Sequence, residues 1–185
     1  MKKVHLACWH RHIPGFVHVD LCDLPHIDHR SRIETLPFFD DASVDLIYCS
    51  HALEYFDRDE ARLALQEWHR VLKPGGTLRL AVPDFPALVR VYQQTGELRS
   101  ILGPLYGRMR VDTADGPQLI YHKTVYDEPS LRALLEECGY ADVRRWDWRE
   151  TEHAAVDDHS QAYFPHMQKD TGIHVSLNLE ARKQA

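Results

Sequence analysis

Apolar residues recur at three- and four-residue steps through Ala61, Leu65, Trp68, Val71 and Leu72, which predicts one buried helical face. Asp57 stands at the N-cap position of that helix, and Glu60 three residues on completes a capping box. Pro74 cannot continue the helix, and Gly75-Gly76 tolerate the positive φ angles of a tight reversal. Residues 77–82 are β-prone and apolar on both faces except at Arg79, the pattern of an interior parallel strand. Pro83 has no N–H and ends the ladder, leaving Asp84 at the strand's carboxyl end, where open α/β sheets bind their ligands.

Other strands flank this unit. Residues 3–7 and 16–20 read as short strands, the second ending on Asp20, and only residues 8–15 separate them. A parallel crossover ordinarily takes a dozen residues or more and includes a helix, so this connection must be compressed. Residues 27–30 suggest a third short strand and 44–49 a buried one, followed by a short helix or turn over 50–56. A helix is expected over 86–94, stopped by Gly96, and another over 129–138, with Leu131, Leu134, Leu135 and Cys138 inward and Gly139 closing it. Residues 97–122, with glycines and prolines and at most a helix near 98–102, read as an insertion over the active-site edge. Strands over 141–148 and 174–181 close the chain, and the 25 residues between them, 149–173, are too long for idle loop. A lid over the same edge is the expectation. Strands alternating with helices give an α/β chain folded as a three-layer sandwich, one domain over 1–185.

Composition narrows the partners. A hydrophobic fraction of 44% and a charged fraction of 27% are those of a water-soluble globular chain. The net charge of −6 argues against a nucleic-acid backbone, and no run approaches a membrane span. The four cysteines, Cys8, Cys22, Cys49 and Cys138, form no CxxC pair, which suits a reducing cytoplasm. Among 13 histidines, His10/His12 and His26/His29 invite a metal reading. Neither pair has a third ligand at fixed spacing, so no metal centre is expected.

At residues 44–56 (VDLIYCSHALEYF) and 70–76 (RVLKPGG) the chain resembles class I S-adenosylmethionine-dependent methyltransferases. His122-Lys123, Tyr126-Asp127-Glu128 and 176–181 (SLNLEA) extend the resemblance to a compact bacterial subgroup associated with surface polysaccharide synthesis. It implies a Rossmann-like sheet with a shortened first crossover and a final antiparallel strand, and S-adenosyl-L-methionine as cofactor. It also implies a cofactor site built from Leu6, Ala7, Cys8, Asp20, Ile33, Ser50 and His51, with Asp20 on the ribose hydroxyls and Ile33 near the adenine. The chain departs from the family at the glycine loop, where Ala7, Trp9 and Arg11 stand in the glycine positions. A side chain there crowds the cofactor.

Methyl transfer needs an aligned nucleophile and a base for its proton. His51, Asp84 and His122 are the candidate catalytic residues, although His51 and Asp84 also suit helix caps and His122 a solvated loop. Lys123, Tyr126, Asp158, His159, Gln161 and Tyr163 are the candidate substrate contacts. The expected activity is methyl transfer to a small polar acceptor such as a sugar or polysaccharide hydroxyl, with a homodimer as the expected larger assembly. The alternatives are a scaffold on the same fold that lost the cofactor with its glycines, and a histidine-rich metal-dependent hydrolase. A Trp9 ring seated in the cofactor site would favour the scaffold.

Overall fold

The computed structural model describes residues 1–113, 116–166 and 168–184, so positions 114, 115 and 167 of the expected insertion and lid lie outside the described residues. The amino-terminal elements are β1 (Lys3–Leu6), β2 (Phe16–Asp20), β3 (His29–Arg30), β4 (Val44–Ser50), α1 (Arg58–Val71) and β5 (Leu72–Pro83). There follow α2 (Phe85–Thr95), α3 (Arg99–Tyr106), β6 (Met109–Thr113), β7 (Gly116–Ile120) and α4 (Glu128–Glu137). The chain closes with β8 (Tyr140–Arg145), β9 (Tyr163–Phe164), β10 (Ile173–His174) and β11 (Ser176–Lys183). Seven strands form the central sheet in the order β3-β2-β1-β4-β5-β11-β8. The first five run parallel, whereas β11 lies antiparallel between β5 and β8, the architecture expected from the sequence.

The capping box at α1 forms as predicted: the Asp57 carboxylate accepts from Asp59 and Glu60 N–H, and Glu60 Oε2 accepts from Asp57 N–H at 2.9 Å. Ala61, Ala64, Leu65, Trp68 and Val71 bury that helix against the sheet, and the Trp68 indole N–H donates to the Ile33 carbonyl at 2.7 Å. One detail differs from expectation. The Lys73-Pro74-Gly75-Gly76 stretch is a kink inside β5, which starts directly at Leu72, and the pairing with β4 shifts register there. Gly75 takes φ +76°, and a Cβ on Gly76 would lie 2.8 Å from the Lys73 carbonyl, so both glycines are required by shape.

The two faces of β4 divide the core. Ile47 and Cys49 join the main cluster under α1 and α4, whereas Leu46 and Tyr48 join Ile13 and Phe16 on the opposite face. The connection through residues 7–15 contains no helix, so that face lacks its usual cover. Residues 149–173 supply one. The His153 ring lies 4.2 Å from that of Tyr48, Val156 packs on the Phe16 cluster, and Asn178 Nδ2 donates to the Ser160 carbonyl at 3.0 Å. The Tyr48 hydroxyl donates to Asp158 Oδ2 at 2.5 Å, and both groups are buried. The segment expected as a lid is thus a packed cover with two 3₁₀ turns and the β9-β10 ribbon. The 97–122 insertion folds into α3, which runs four residues past the end suggested by the sequence and carries Pro104 inside, and the β6-β7 hairpin.

The Tyr48–Asp158 bond links cover and sheet. Tyr48→Phe removes the donor and leaves a buried carboxylate oxygen unpaired, which should destabilise the chain by about 1–3 kcal/mol. A urea unfolding midpoint equal to the wild type would show that the cover is held without it.

Candidate functional site

Two cavities open at the carboxyl ends of β1, β2 and β4. The larger, about 570 Å³, is walled by Ala7, Asp20, Cys22, Ile33, Phe56 and the β6-β7 hairpin. Asp20 ends β2 with its carboxylate buried, accepting from Trp9 N–H at 2.7 Å and Cys22 N–H at 2.8 Å. An ionised carboxylate has about four acceptor sites, so two remain for a ligand. Ala7 and Trp9 hold φ +51° and +46°, the left-handed conformation that glycine favours, while Arg11 does not. The loop therefore keeps the glycine-loop shape at two of three positions without glycine. Trp9 stays 48% exposed, its ring edge-on to His10, and forms a wall of both cavities without filling either.

The smaller cavity, about 420 Å³, is walled by His5, Ser50, His51, Glu54, His122 and His159 among others. The two cavities share Ala7, Trp9, His51, Tyr55 and Met109, so these residues form their common wall. Glu54 is 1% exposed, and neither of its carboxyl oxygens has a hydrogen-bond partner among the described residues. His51 Nδ1 lies 3.6 Å and His122 Nε2 3.7 Å from the same oxygen, Oε1. Burial pushes the Glu54 carboxyl up to about 8. Burial likewise holds His51 well below the ordinary histidine range and His122 below it.

Tautomers follow from the outer bonds. The Ser176 hydroxyl donates to Asn178 Oδ1 at 2.8 Å, so it accepts from His51 Nε2–H at 3.0 Å. His122 Nδ1–H donates to the Pro104 carbonyl at 2.9 Å. Both neutral rings consequently turn a lone-pair nitrogen toward Glu54. Gly107 makes room for this: a Cβ there would lie 1.9 Å from His122 Nε2.

The remaining candidates fall in several places. Ala7, Asp20, Ile33 and His51 line the larger cavity, and Cys8, Ser50, Asp158 and His159 join the smaller one. Leu6 is wholly core. Asp84 caps α2 through Ala87 N–H and lines neither cavity. Lys123 borders the larger cavity with its ammonium on both Glu60 oxygens, at 2.6 and 2.8 Å. Tyr126 is buried, and its hydroxyl has no partner among the described residues. Gln161 works inside the cover, donating to the Ala154 and Val156 carbonyls. Tyr163 lies apart, accepting from Arg149 at 3.1 Å beside a shallow third cavity. Glu54 was not anticipated from sequence; its signal is the three-residue spacing from His51 across one short helical turn.

His26 Nε2–H donates to the Trp9 carbonyl at 2.9 Å, His29 stacks on Phe38, His10 meets Trp9 and His12 meets His18. Among the described residues no group of three or more His, Cys, Asp or Glu is arranged to hold a metal ion. Nor is any helix among them long and apolar enough to cross a membrane.

Residues 10–80 match a family model described as a methyltransferase domain. A demethylmenaquinone methyltransferase from Staphylococcus epidermidis is 28% identical over 110 residues, 57% of this chain and 44% of that protein, so the chain spans less than half of that relative. Among solved structures, a Methanosarcina mazei S-adenosylmethionine-dependent methyltransferase matches 99% of this chain and 92% of its own, at TM-score 0.54 and 16% identity. The Burkholderia thailandensis 1,6-didemethyltoxoflavin-N1-methyltransferase, solved with its substrate and S-adenosylhomocysteine, matches 99% of this chain and 71% of its own, at TM-score 0.55 and 16% identity. Residues 10–80 are thus similar to a methyltransferase domain, and the chain as a whole has the Rossmann-like fold seen in these solved methyltransferases.

Proposed function

We propose that this chain transfers the methyl group of S-adenosylmethionine to a small polar acceptor. The observation that carries this reading is Asp20, a buried carboxylate with two acceptor sites to spare, at the end of β2 beside a loop held in the glycine-loop shape. The residues present fit the cofactor. Asp20 would take the ribose hydroxyls, Ile33 and Phe56 the apolar adenine, and the Ala7–Trp9 backbone the methionine portion. When bound, the cofactor supplies a methyl group activated on a positively charged sulfur.

The chain's own contribution is then positional and protonic. The smaller cavity orients the acceptor next to the shared wall at Ala7, His51 and Tyr55. The cover, through Asp158, His159 and Ala162, excludes water from that side. His51, His122 and Glu54 are the groups placed to hold a proton there. A hydroxyl suits such a site, and the resemblance of 122–128 and 176–181 to surface-polysaccharide enzymes supports a saccharide hydroxyl. The name of the S. epidermidis relative points instead to a quinone-type acceptor. We infer a cytoplasmic enzyme acting alone or as a homodimer. Trp9 in the wall of the larger cavity favours a second reading, a scaffold that no longer binds the cofactor.

Titration calorimetry with S-adenosylhomocysteine separates these. The wild type should bind, and Asp20→Ala should lose about 1.5–3 kcal/mol, the range for hydrogen bonds to a charged group. No binding by the wild type would establish the scaffold reading, and equal affinities would remove Asp20 from the site. Prolonged treatment with a strong chelator should leave the melting temperature and this affinity unchanged. A stoichiometric metal whose removal abolishes either would revive the hydrolase alternative.

A further inference from the structure

Glu54 occupies a position that ordinary structural roles do not explain. It is 1% exposed, yet neither carboxyl oxygen has a hydrogen-bond partner among the described residues. Buried carboxylates are normally paired, and leaving one unpaired costs more than a polar group gains by being there. Two imidazoles approach Oε1 at 3.6 and 3.7 Å, and both offer it lone pairs, because Ser176 and Pro104 take their N–H groups. Three acceptors converging on one point are stable only with a proton among them. Their separations are too long for a hydrogen bond and leave room for a ligand group to enter. All three line the same cavity.

We propose that Glu54, with His51 and His122, is the proton acceptor for methyl transfer, and that the acceptor substrate presents a neutral hydroxyl to it. This rests on the methyl-transfer reading above. The acceptor's O–H bond breaks and its proton passes to a Glu54 oxygen. The pair that held it forms the new O–CH₃ bond, while the pair of the broken S–CH₃ bond stays on the donor's sulfur. The proton then leaves to water through His51 or His122.

The surroundings set the pH at which the cluster is ready. His159 stands 5.2 Å from His51 on the cover, and Tyr55 meets the His122 ring edge-on at 4.6 Å. Tyr126, Cys49 and His174 complete the titratable shell. Of the charged residues lining the cavity, Arg11 is engaged with the Asp157 carbonyl and Asp158 with Tyr48 and Ser160, while Arg108 is the other cation. No cation is recorded in contact with Glu54 among the described residues. Burial therefore dominates, and the carboxyl ionises only as pH rises through about 8.

Phenol is a suitable probe, since its own proton stays on throughout this range. Its affinity for the wild type, measured by calorimetry with S-adenosylhomocysteine present, should rise by up to about tenfold between about pH 6.5 and pH 9, as the ionised carboxylate gains a charge-assisted bond. Glu54→Gln should bind phenol with no such rise. Its folding is checked by melting: the folded-state midpoint of Glu54 lies above the unfolded one, so the wild type loses stability as pH rises from the ordinary glutamate range to about 8, levelling off above it, and the variant does not. Should Glu54→Gln fail to fold, the wild type labelled with ¹³C-carboxyl glutamate decides: one carboxyl should titrate near 8. Flat phenol affinity in the wild type, absence of phenol binding, or glutamates that all titrate in the ordinary range would each overturn the proposal. Failure of S-adenosylhomocysteine itself to bind would instead sink the methyl-transfer reading, a separate result.

Discussion

The carboxylate of Asp20 holds the β1-to-β2 loop in place, and the larger cavity depends on that loop. Two backbone N–H groups donate to it, Trp9 to Oδ2 at 2.7 Å and Cys22 to Oδ1 at 2.8 Å. Holding an L-residue in the left-handed region costs about 1–2 kcal/mol, so Ala7 and Trp9 together carry about 2–4 kcal/mol of strain. A hydrogen bond to a charged acceptor contributes about 1.5–3 kcal/mol, so the clamp and the strain are of similar size. The loop can keep a glycine-like path without glycine only while the clamp is closed. One residue thereby fixes the loop and lines the larger cavity.

Compression of the first crossover has a second consequence, on the far side of the sheet. With no helix after β1, the face carrying His5, Phe16, Leu46 and Tyr48 needs apolar cover from elsewhere. Residues 149–173 come from the other end of the chain to provide it, and the same segment delivers Asp158, His159 and Ala162 to the smaller cavity. Burial of His153 and Val156 is thus coupled to the shape of the site. Loosening the cover would open the cavity wall, because the cover is a wall of the cavity.

Much of the fold could be read from local chemistry. The capping box at Asp57, the apolar stripe through Trp68 and the strand ending at Pro83 are short-range patterns, and they appear where the sequence put them. The cover was not legible in the same way. Its residues carry no period, since they are held by contacts such as Tyr48–Asp158 that span 110 positions. The same limit applies to the site. Asp20 and His51 reach the cavity walls from strand ends, which are predictable, while Asp84 caps α2, the alternative that its place before Pro86 allowed. Glu54 was missed because a lone glutamate in a helical turn reads as solvated. Only the return of His122 from the hairpin, with Gly107 making room, reveals it as buried.

Backbone strain adds an independent pointer to the same place. Among the described residues, five other than glycine have positive φ: Ala7, Trp9, Ala42, His51 and Asp142. Three of the five, Ala7, Trp9 and His51, are shared walls of the two cavities. Such conformations persist only where surrounding bonds over-determine them. At His51 those bonds are its own N–H to the Ala81 carbonyl at 2.8 Å and its ring N–H to Ser176 at 3.0 Å, one from β5 and one from β11. The antiparallel strand β11 therefore also fixes the ring beside Glu54. A site assembled from strained positions on rigid strands holds its groups in place before any ligand arrives, which is the arrangement that in-line transfer between two bound molecules requires.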